Sequence, residues 1–146
     1  MWLDRVKNEI DSNVDIAWRS FSLEQQNSKE GDDWKVWEQG EDFESRGMLA
    51  HRAGVAARNQ DGDLTDRFVL ALLTARHVDL IDLRDRDAIL KVARDTGLDM
   101  ERFEADLDSG ETLNTIAGDH EEAATEGIFG TPTYVFPDAK PAFLKM

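Results

Sequence analysis

The 146-residue chain contains no cysteine, and this absence excludes several kinds of chemistry. A chain without thiols forms no internal disulfide, no thiolate metal site and no cysteine nucleophile. Thiol–disulfide exchange proceeds by attack of a thiolate on a disulfide. These 146 residues therefore cannot exchange disulfides by themselves.

The sequence also lacks long apolar runs. No stretch approaches the roughly 20 apolar residues that a membrane-spanning helix needs. The opening Met1-Trp2-Leu3-Asp4-Arg5 lacks the order of a secretory signal, in which basic residues precede an apolar segment. We therefore expect a soluble protein that has no membrane partner and that is cytoplasmic.

Basic residues are scarce. Lysine and arginine number 17 against 31 aspartates and glutamates, which gives a formal net charge of -14. This charge repels a phosphate backbone, so we do not expect a nucleic-acid partner. The acidic excess indicates a well-solvated surface in preference to an adaptation to high salt. Hydrophobic residues still make up 40% of the chain, which is enough for a core.

The N-terminal part of the chain is predicted to hold a helix, a strand and an exposed connection. Apolar residues recur at helical spacing from Leu3 to Ile10. From Val14 to Leu23 they alternate with polar residues, which predicts a strand with one buried face. The polar stretch from Glu24 to Asp33 predicts an exposed connection at a unit boundary. Beyond it, a short helix or ordered loop is expected to cover an apolar surface with Trp34, Val36, Trp37 and Phe43.

The middle of the chain is predicted to be helical, and its end to be a β-hairpin. The expected helices span 45–59, about 65–78, 85–96, 99–107 and 111–126, with Gly97 as a C-cap and Asp99 as an N-cap. The run Thr131 to Phe136 is β-branched and aromatic, and a Pro-rich turn follows it. A mixed α/β unit that is split by an all-helical insertion accounts for this order.

One segment near the end of the chain resembles the cis-proline segment of DsbA-like thioredoxin-fold proteins. It reads Gly127-Ile128-Phe129-Gly130-Thr131-Pro132-Thr133-Tyr134-Val135-Phe136. Phe68 to Leu107 resembles the inserted helices of that family, and Val14 to Phe21 resembles the strand that follows its first helix. The closest patterns are those of FrnE-like cytoplasmic proteins, hydroxychromene-carboxylate isomerases and kappa-class glutathione transferases. The resemblance implies an α/β, thioredoxin-like fold with an incomplete sheet and an inserted all-helical module. Residues 1–30 and 119–146 would form the thioredoxin-like unit, and residues 31–118 the helical insertion.

The resemblance also implies a function in the thiol-disulfide oxidoreductase class. Gly130, Thr131 and Pro132 would form the substrate-binding loop, in which a cis Thr131–Pro132 bond presents backbone groups to an extended segment. The expected partner is a protein or small molecule that contains a thiol or a disulfide. The family places a Cys-x-x-Cys motif at the start of its first helix, and here that motif would lie before residue 1. We therefore expect a chain truncated at both ends, or a homodimer that completes its sheet by pairing.

Two other functions remain open within the same fold. In a glutathione-dependent isomerase or transferase, glutathione would bring the thiol as a cofactor; otherwise no cofactor is expected. In a non-catalytic binding or dimerisation module, no thiol chemistry would occur. No catalytic residue is assigned, and whether the chain is an enzyme stays open.

The remaining polar clusters are interpreted as structural. The three histidines are far apart in sequence, so surface or cap roles are expected in place of a metal site: His51, His77 and His120. The run Asp61-Gly62-Asp63 lacks calcium-loop spacing and predicts a turn with a cap. The run of alternating charges from Asp79 to Asp87 predicts an interhelical loop with local ion pairs. No metal is expected.

Overall fold

The computed structural model describes residues 16–40, 42–137 and 140–143. Within these ranges the chain is mostly helical and ends in a two-stranded sheet. The elements are α1 Leu23–Gln26, a 3-10 helix Val36–Glu38, α2 Met48–Arg58, α3 Gly62–His77, α4 Arg86–Thr96, α5 Met100–Asp108, α6 Glu111–Thr125, β1 Thr133–Tyr134 and β2 Ala142–Phe143. The five predicted helices of the middle region are confirmed, with ends that differ by a few residues.

The helix ends follow from side-chain and backbone caps. Asp61, Asp85 and Asp99 each accept a backbone N–H of the first turn that follows, and these bonds satisfy donors that have no partner inside the helix. Gly97 ends α4 with a φ of 97°, a left-handed conformation that glycine adopts without steric cost. The predicted caps at Asp99 and Gly97, and the predicted turn at Asp61, are therefore confirmed.

The main hydrophobic core lies among α2, α3, α4 and α5. Phe68 of α3 and Phe103 of α5 are fully buried, and their rings meet edge to face at 5.5 Å between centroids. Small residues of α2 let the other helices approach it closely: Ala53, Ala56 and Ala57. These four helices are among those that the hydrophobic spacing predicted, and they pack into one helical unit.

A second core cluster joins the 3-10 helix to α2 and α6. Val36 and Trp37 pack there with Met48, Val55 and Ile116. The prediction that the aromatic segment after residue 33 covers an apolar surface is therefore confirmed.

The predicted strand from Val14 to Leu23 is wrong for the residues that the structure describes. Residues 16–22 are irregular and Leu23 begins α1. The burial alternation is present, because Ile16 and Trp18 are half-buried while Ala17 and Arg19 are exposed. No strand pairs with this segment among the described residues. The predicted helix at Leu3–Ile10 lies outside the described residues.

The predicted β-hairpin is confirmed, although its strands are short. β1 and β2 pair antiparallel, with Thr133 opposite Phe143 and Tyr134 opposite Ala142. The sheet of the described residues consists of these two strands. In the same residues, no helix combines the length and the apolar character that crossing a membrane requires.

Candidate functional site

The three residues predicted to bind substrate form a tight loop immediately before β1. The Thr131–Pro132 peptide bond is cis. The Thr133 hydroxyl donates a hydrogen bond of 2.7 Å to the carbonyl oxygen of Gly130, which closes the loop. Thr131 is exposed and Pro132 is half-buried, whereas Gly130 is buried. The loop is therefore held from within and presents Thr131 to solvent.

Gly130 is buried because the ring of Phe143 on β2 packs against it. A Cβ atom at position 130 would lie 2.9 Å from Cε2 and 3.3 Å from Cζ of Phe143. The first distance is too short and the second is tight for carbon atoms, whose optimal separation is about 3.5–4.0 Å. The absence of a side chain at position 130 thus allows the loop and the hairpin to touch.

We expect Gly130→Ala to loosen this contact at a cost of about 1 kcal/mol, the low end of the range for overpacking, because the Phe143 ring is 38% exposed and can shift. The measurement is amide hydrogen exchange of residues 130–136, which should become faster. Gly118→Ala is a matched control, because a Cβ at that helical position meets no atom within 4 Å. The double variant Gly130→Ala/Phe143→Leu should restore slow exchange. Unchanged exchange in Gly130→Ala would contradict the close contact.

Apolar side chains that precede and follow the loop in sequence are open to solvent. Phe129 is 62% exposed, Val135 55% and Phe136 56%. The rings of Phe129 and Phe143 lie 5.1 Å apart. We call Phe129, Val135, Phe136 and Phe143 the hairpin patch. Several exposed apolar side chains within one short hairpin are typical of a surface that contacts another molecule.

A second constellation, buried and polar, lies where residues 19–22 meet α6. The backbone N–H of Ser20 donates to Oδ2 of Asp119 at 3.0 Å. The N–H of Ser22 donates to Nδ1 of His120 at 3.1 Å. Both acceptors are buried. Two side chains of α6 therefore occupy the positions at which a neighbouring strand would offer carbonyl groups.

Asp119 also carries the main buried ion pair of the described residues. Nη1 of Arg58 on α2 lies 2.6 Å from Oδ2 of Asp119, and Nη1 of Arg19 lies 3.4 Å from Oδ1. Arg58 has only 21% of its side chain exposed, whereas Arg19 has 63%. The carboxylate thus ties α2, α6 and residues 19–20 together.

His120 is enclosed by aromatic rings. The ring of Phe21 stacks on it at 4.5 Å between centroids, and Trp37 lies at 5.4 Å. Burial lowers the pKa of His120 below its ordinary value, and the positive charge of Lys35 lowers it further. Burial likewise lowers the pKa of His51, which also responds to charge on His120. Both shifts favour the neutral imidazole.

The surface or cap roles predicted for the histidines are correct only for His77, which is exposed in the last turn of α3. His51 is half-buried and His120 is buried. The missed signal was spacing along α6. Its buried face consists of Thr112, Ile116, Asp119 and His120, which recur at helical spacing. An Asp-His pair in register with a core isoleucine indicates buried polar groups.

The remaining polar clusters are structural in the described residues. Arg84 pairs with Asp82, which confirms a local ion pair in the loop after α3. Arg86 instead reaches α5, where both its terminal nitrogens contact Asp108. No group of three or more potential metal ligands occurs in the part of the chain that the structure describes.

Comparison with known protein families shows which family the chain belongs to. The family model of the DSBA-like thioredoxin domain matches residues 3–144. The chain belongs to this family. The match includes the Gly130–Pro132 loop and all the helices described above. This DSBA-like domain has no cysteine, so the Cys-x-x-Cys motif of the family is missing from these 146 residues.

One curated relative of this DSBA-like domain is a Na(+)/H(+) antiporter, NhaA, from Herminiimonas arsenicoxydans. The two sequences are 33% identical over 88 residues. The aligned part covers 60% of this chain and 13% of the antiporter. The similarity is therefore to a small part of a much longer protein.

Proposed function

We propose that this DSBA-like domain binds an extended segment that contains a thiol or a disulfide, at the loop formed by Gly130, Thr131 and Pro132. The family match over residues 3–144 carries the proposal, because it extends through this loop. The exposed Thr131 and the hairpin patch support it as a polar and an apolar contact for one ligand. Any thiol chemistry there takes its thiols from outside these 146 residues, because they hold none.

Binding can be tested with a short extended peptide whose cysteine is blocked as a mixed disulfide. We expect amide shifts in a 15N-labelled sample at residues 129–136. Val135→Ser should weaken binding about fivefold, since roughly 1 kcal/mol of apolar contact is lost. Val78→Ser is the matched control, because Val78 is an exposed valine on the loop after α3. Amide shifts confined to other residues, or equal losses of affinity in both variants, would contradict binding at the proposed loop.

Catalysis can be tested by insulin reduction. We expect the chain with dithiothreitol to precipitate insulin no faster than dithiothreitol alone, because it has no thiolate to attack a disulfide. A matched amount of another cysteine-free protein controls for carrier effects. Acceleration by this chain would contradict the proposed division between binding and redox chemistry.

The lack of cysteine also favours a second candidate, a glutathione-dependent isomerase or transferase, because there the cofactor brings the thiol. Saturable heat of glutathione binding in calorimetry would support this candidate, and no heat at millimolar glutathione would exclude it.

The hairpin patch favours a third candidate, a binding or dimerisation module. A monomer in sedimentation at high concentration would exclude the dimerisation module. Ion transport is not proposed, because the match covers 13% of the antiporter.

A further inference from the structure

Residues 20–40 and 42–46 run across α2 and α6 with little regular structure, and we call them the strap. The strap contains α1 and the 3-10 helix, and its Val36 and Trp37 cover the second core cluster. Two backbone hydrogen bonds attach it to α6: Ser20 N–H donates to Oδ2 of Asp119 at 3.0 Å, and Ser22 N–H donates to Nδ1 of His120 at 3.1 Å in a buried position. The stack of Phe21 on the His120 ring supports the same contact.

This hydrogen bond exists only while His120 is neutral. A backbone N–H can only donate, so Nδ1 must hold a free electron pair. A protonated imidazole carries N–H groups on both ring nitrogens, and no tautomer of the cation leaves Nδ1 able to accept. Protonation would therefore place the Ser22 N–H opposite a second donor, the N–H on Nδ1 of His120. The site is buried, and a hydrogen bond left unmade there costs the most.

The attachment at Ser22 is connected to the rest of the strap by further hydrogen bonds. Oγ of Ser22 accepts from the N–H of Gln25 and thereby caps α1. The Gln25 amide donates to the carbonyl oxygen of Trp34 at 2.9 Å and accepts from the N–H of Val36 at 2.8 Å. Displacement of Ser22 is thus transmitted to the 3-10 helix, which covers the cluster that includes Ile116.

The charged groups around His120 oppose its protonation on balance. Burial is the largest effect, and Lys35 at the start of the 3-10 helix adds to it. Glu121 on α6 acts in the opposite direction and is the weakest of the three. On α2, His51 is the facing titratable group, and the carboxylate of Glu24 on α1 partly offsets the lowering of its pKa. Asp119 is already engaged by Arg58.

We propose that the contact between Ser22 and His120 is a pH-sensitive latch, which holds the strap from Ser22 onward closed at neutral pH and releases that part in mild acid, while Ser20 stays bound to Asp119. Release uncovers the cluster beneath Val36 and Trp37. The direction follows from linkage: the released form takes up protons with the ordinary histidine pKa of about 6.5, whereas the closed form resists them. The closed form therefore loses stability as the pH falls below about 6.5.

The test uses tryptophan emission and binding of the dye anilinonaphthalene sulfonate between pH 8 and pH 5. The chain should show a red shift and dye binding below about pH 6.5. His120→Asn should lose this transition or show it at lower pH, because an asparagine oxygen accepts the Ser22 N–H without titrating. His77→Asn is the matched control and should behave as the unmodified chain, since His77 is exposed.

Two further measurements keep the test decisive if His120→Asn folds poorly. In the unmodified chain, long-range 15N spectra of the three imidazoles should show an unprotonated Nδ1 for His120 until the emission changes. His51→Asn should retain the transition. The latch is overturned if His120 becomes protonated with no change in emission or dye binding, or if His51→Asn alone abolishes the transition.

Discussion

Asp119→Ala should lower the free energy of unfolding by about 3 kcal/mol, the low end of the range for removing one partner of a buried ion pair. The substitution leaves the guanidinium of Arg58 and the N–H of Ser20 without their acceptor. Arg58 keeps some access to water, which is why the low end applies. In a chain of this size, the melting temperature should fall by about 6–12 °C. Urea titration followed by tryptophan emission measures the change.

Asp108→Ala is the matched control for this prediction. It removes an aspartate that pairs with Arg86 through both oxygens, but on the surface. Exposed pairs of this kind contribute about 0–1 kcal/mol. Asp119→Asn should fall between the two, because an amide oxygen still accepts one hydrogen bond. Equal losses of stability in Asp119→Ala and Asp108→Ala would show that the Asp119 contacts contribute no more than an exposed ion pair.

Phe103→Ala should destabilise the chain by about 3–5 kcal/mol, because it removes a fully buried ring and leaves a cavity. The ring lies between α5 and α3, where it meets Phe68. Thermal unfolding followed by circular dichroism should show the loss. Phe129→Ala is the control, since that ring is exposed and its removal should cost less than about 0.5 kcal/mol.

A double-mutant cycle separates the ring pair from simple burial. Phe68→Ala and Phe103→Ala should be non-additive, with a coupling of about 0.5–1.5 kcal/mol for the edge-to-face contact. Strict additivity would mean that the two rings contribute only through the area they bury.

The helices were predictable because their determinants are local. Asp85 and Asp99 stand one residue before α4 and α5, and Gly97 stands one residue after α4. Caps and apolar spacing act within one or two turns, so the printed sequence contains them in full. The hairpin was predictable for the same reason, since its two strands are close in the chain.

The mistaken strand shows what local sequence cannot contain. The alternation at Ile16 and Trp18 reports one buried face, and that face exists. What lies beside the segment is α6, about 100 residues later, and its Asp119 and His120 side chains take the N–H groups that a strand would have taken. Period-two burial indicates extended backbone, but strand assignment also requires a partner.

In the candidate site, too, some features were predictable from the sequence and others were not. The loop at Gly130, Thr131 and Pro132 was predicted from a contiguous motif. The packing of Phe143 on Gly130 was not, because glycine in a loop is usually interpreted as a turn residue. The buried role of His120 was also missed, although its spacing from Ile116 on α6 was visible in the sequence.

The position of Asp119 and His120 has a consequence for how this protein behaves in concentrated solution. An extended segment with free amides on one edge is a template on which another molecule can add a strand, and this is a common route to aggregation. Here the amides of Ser20 and Ser22 face the same edge and are both already bound. Two helical side chains therefore shield that edge from intermolecular sheet growth.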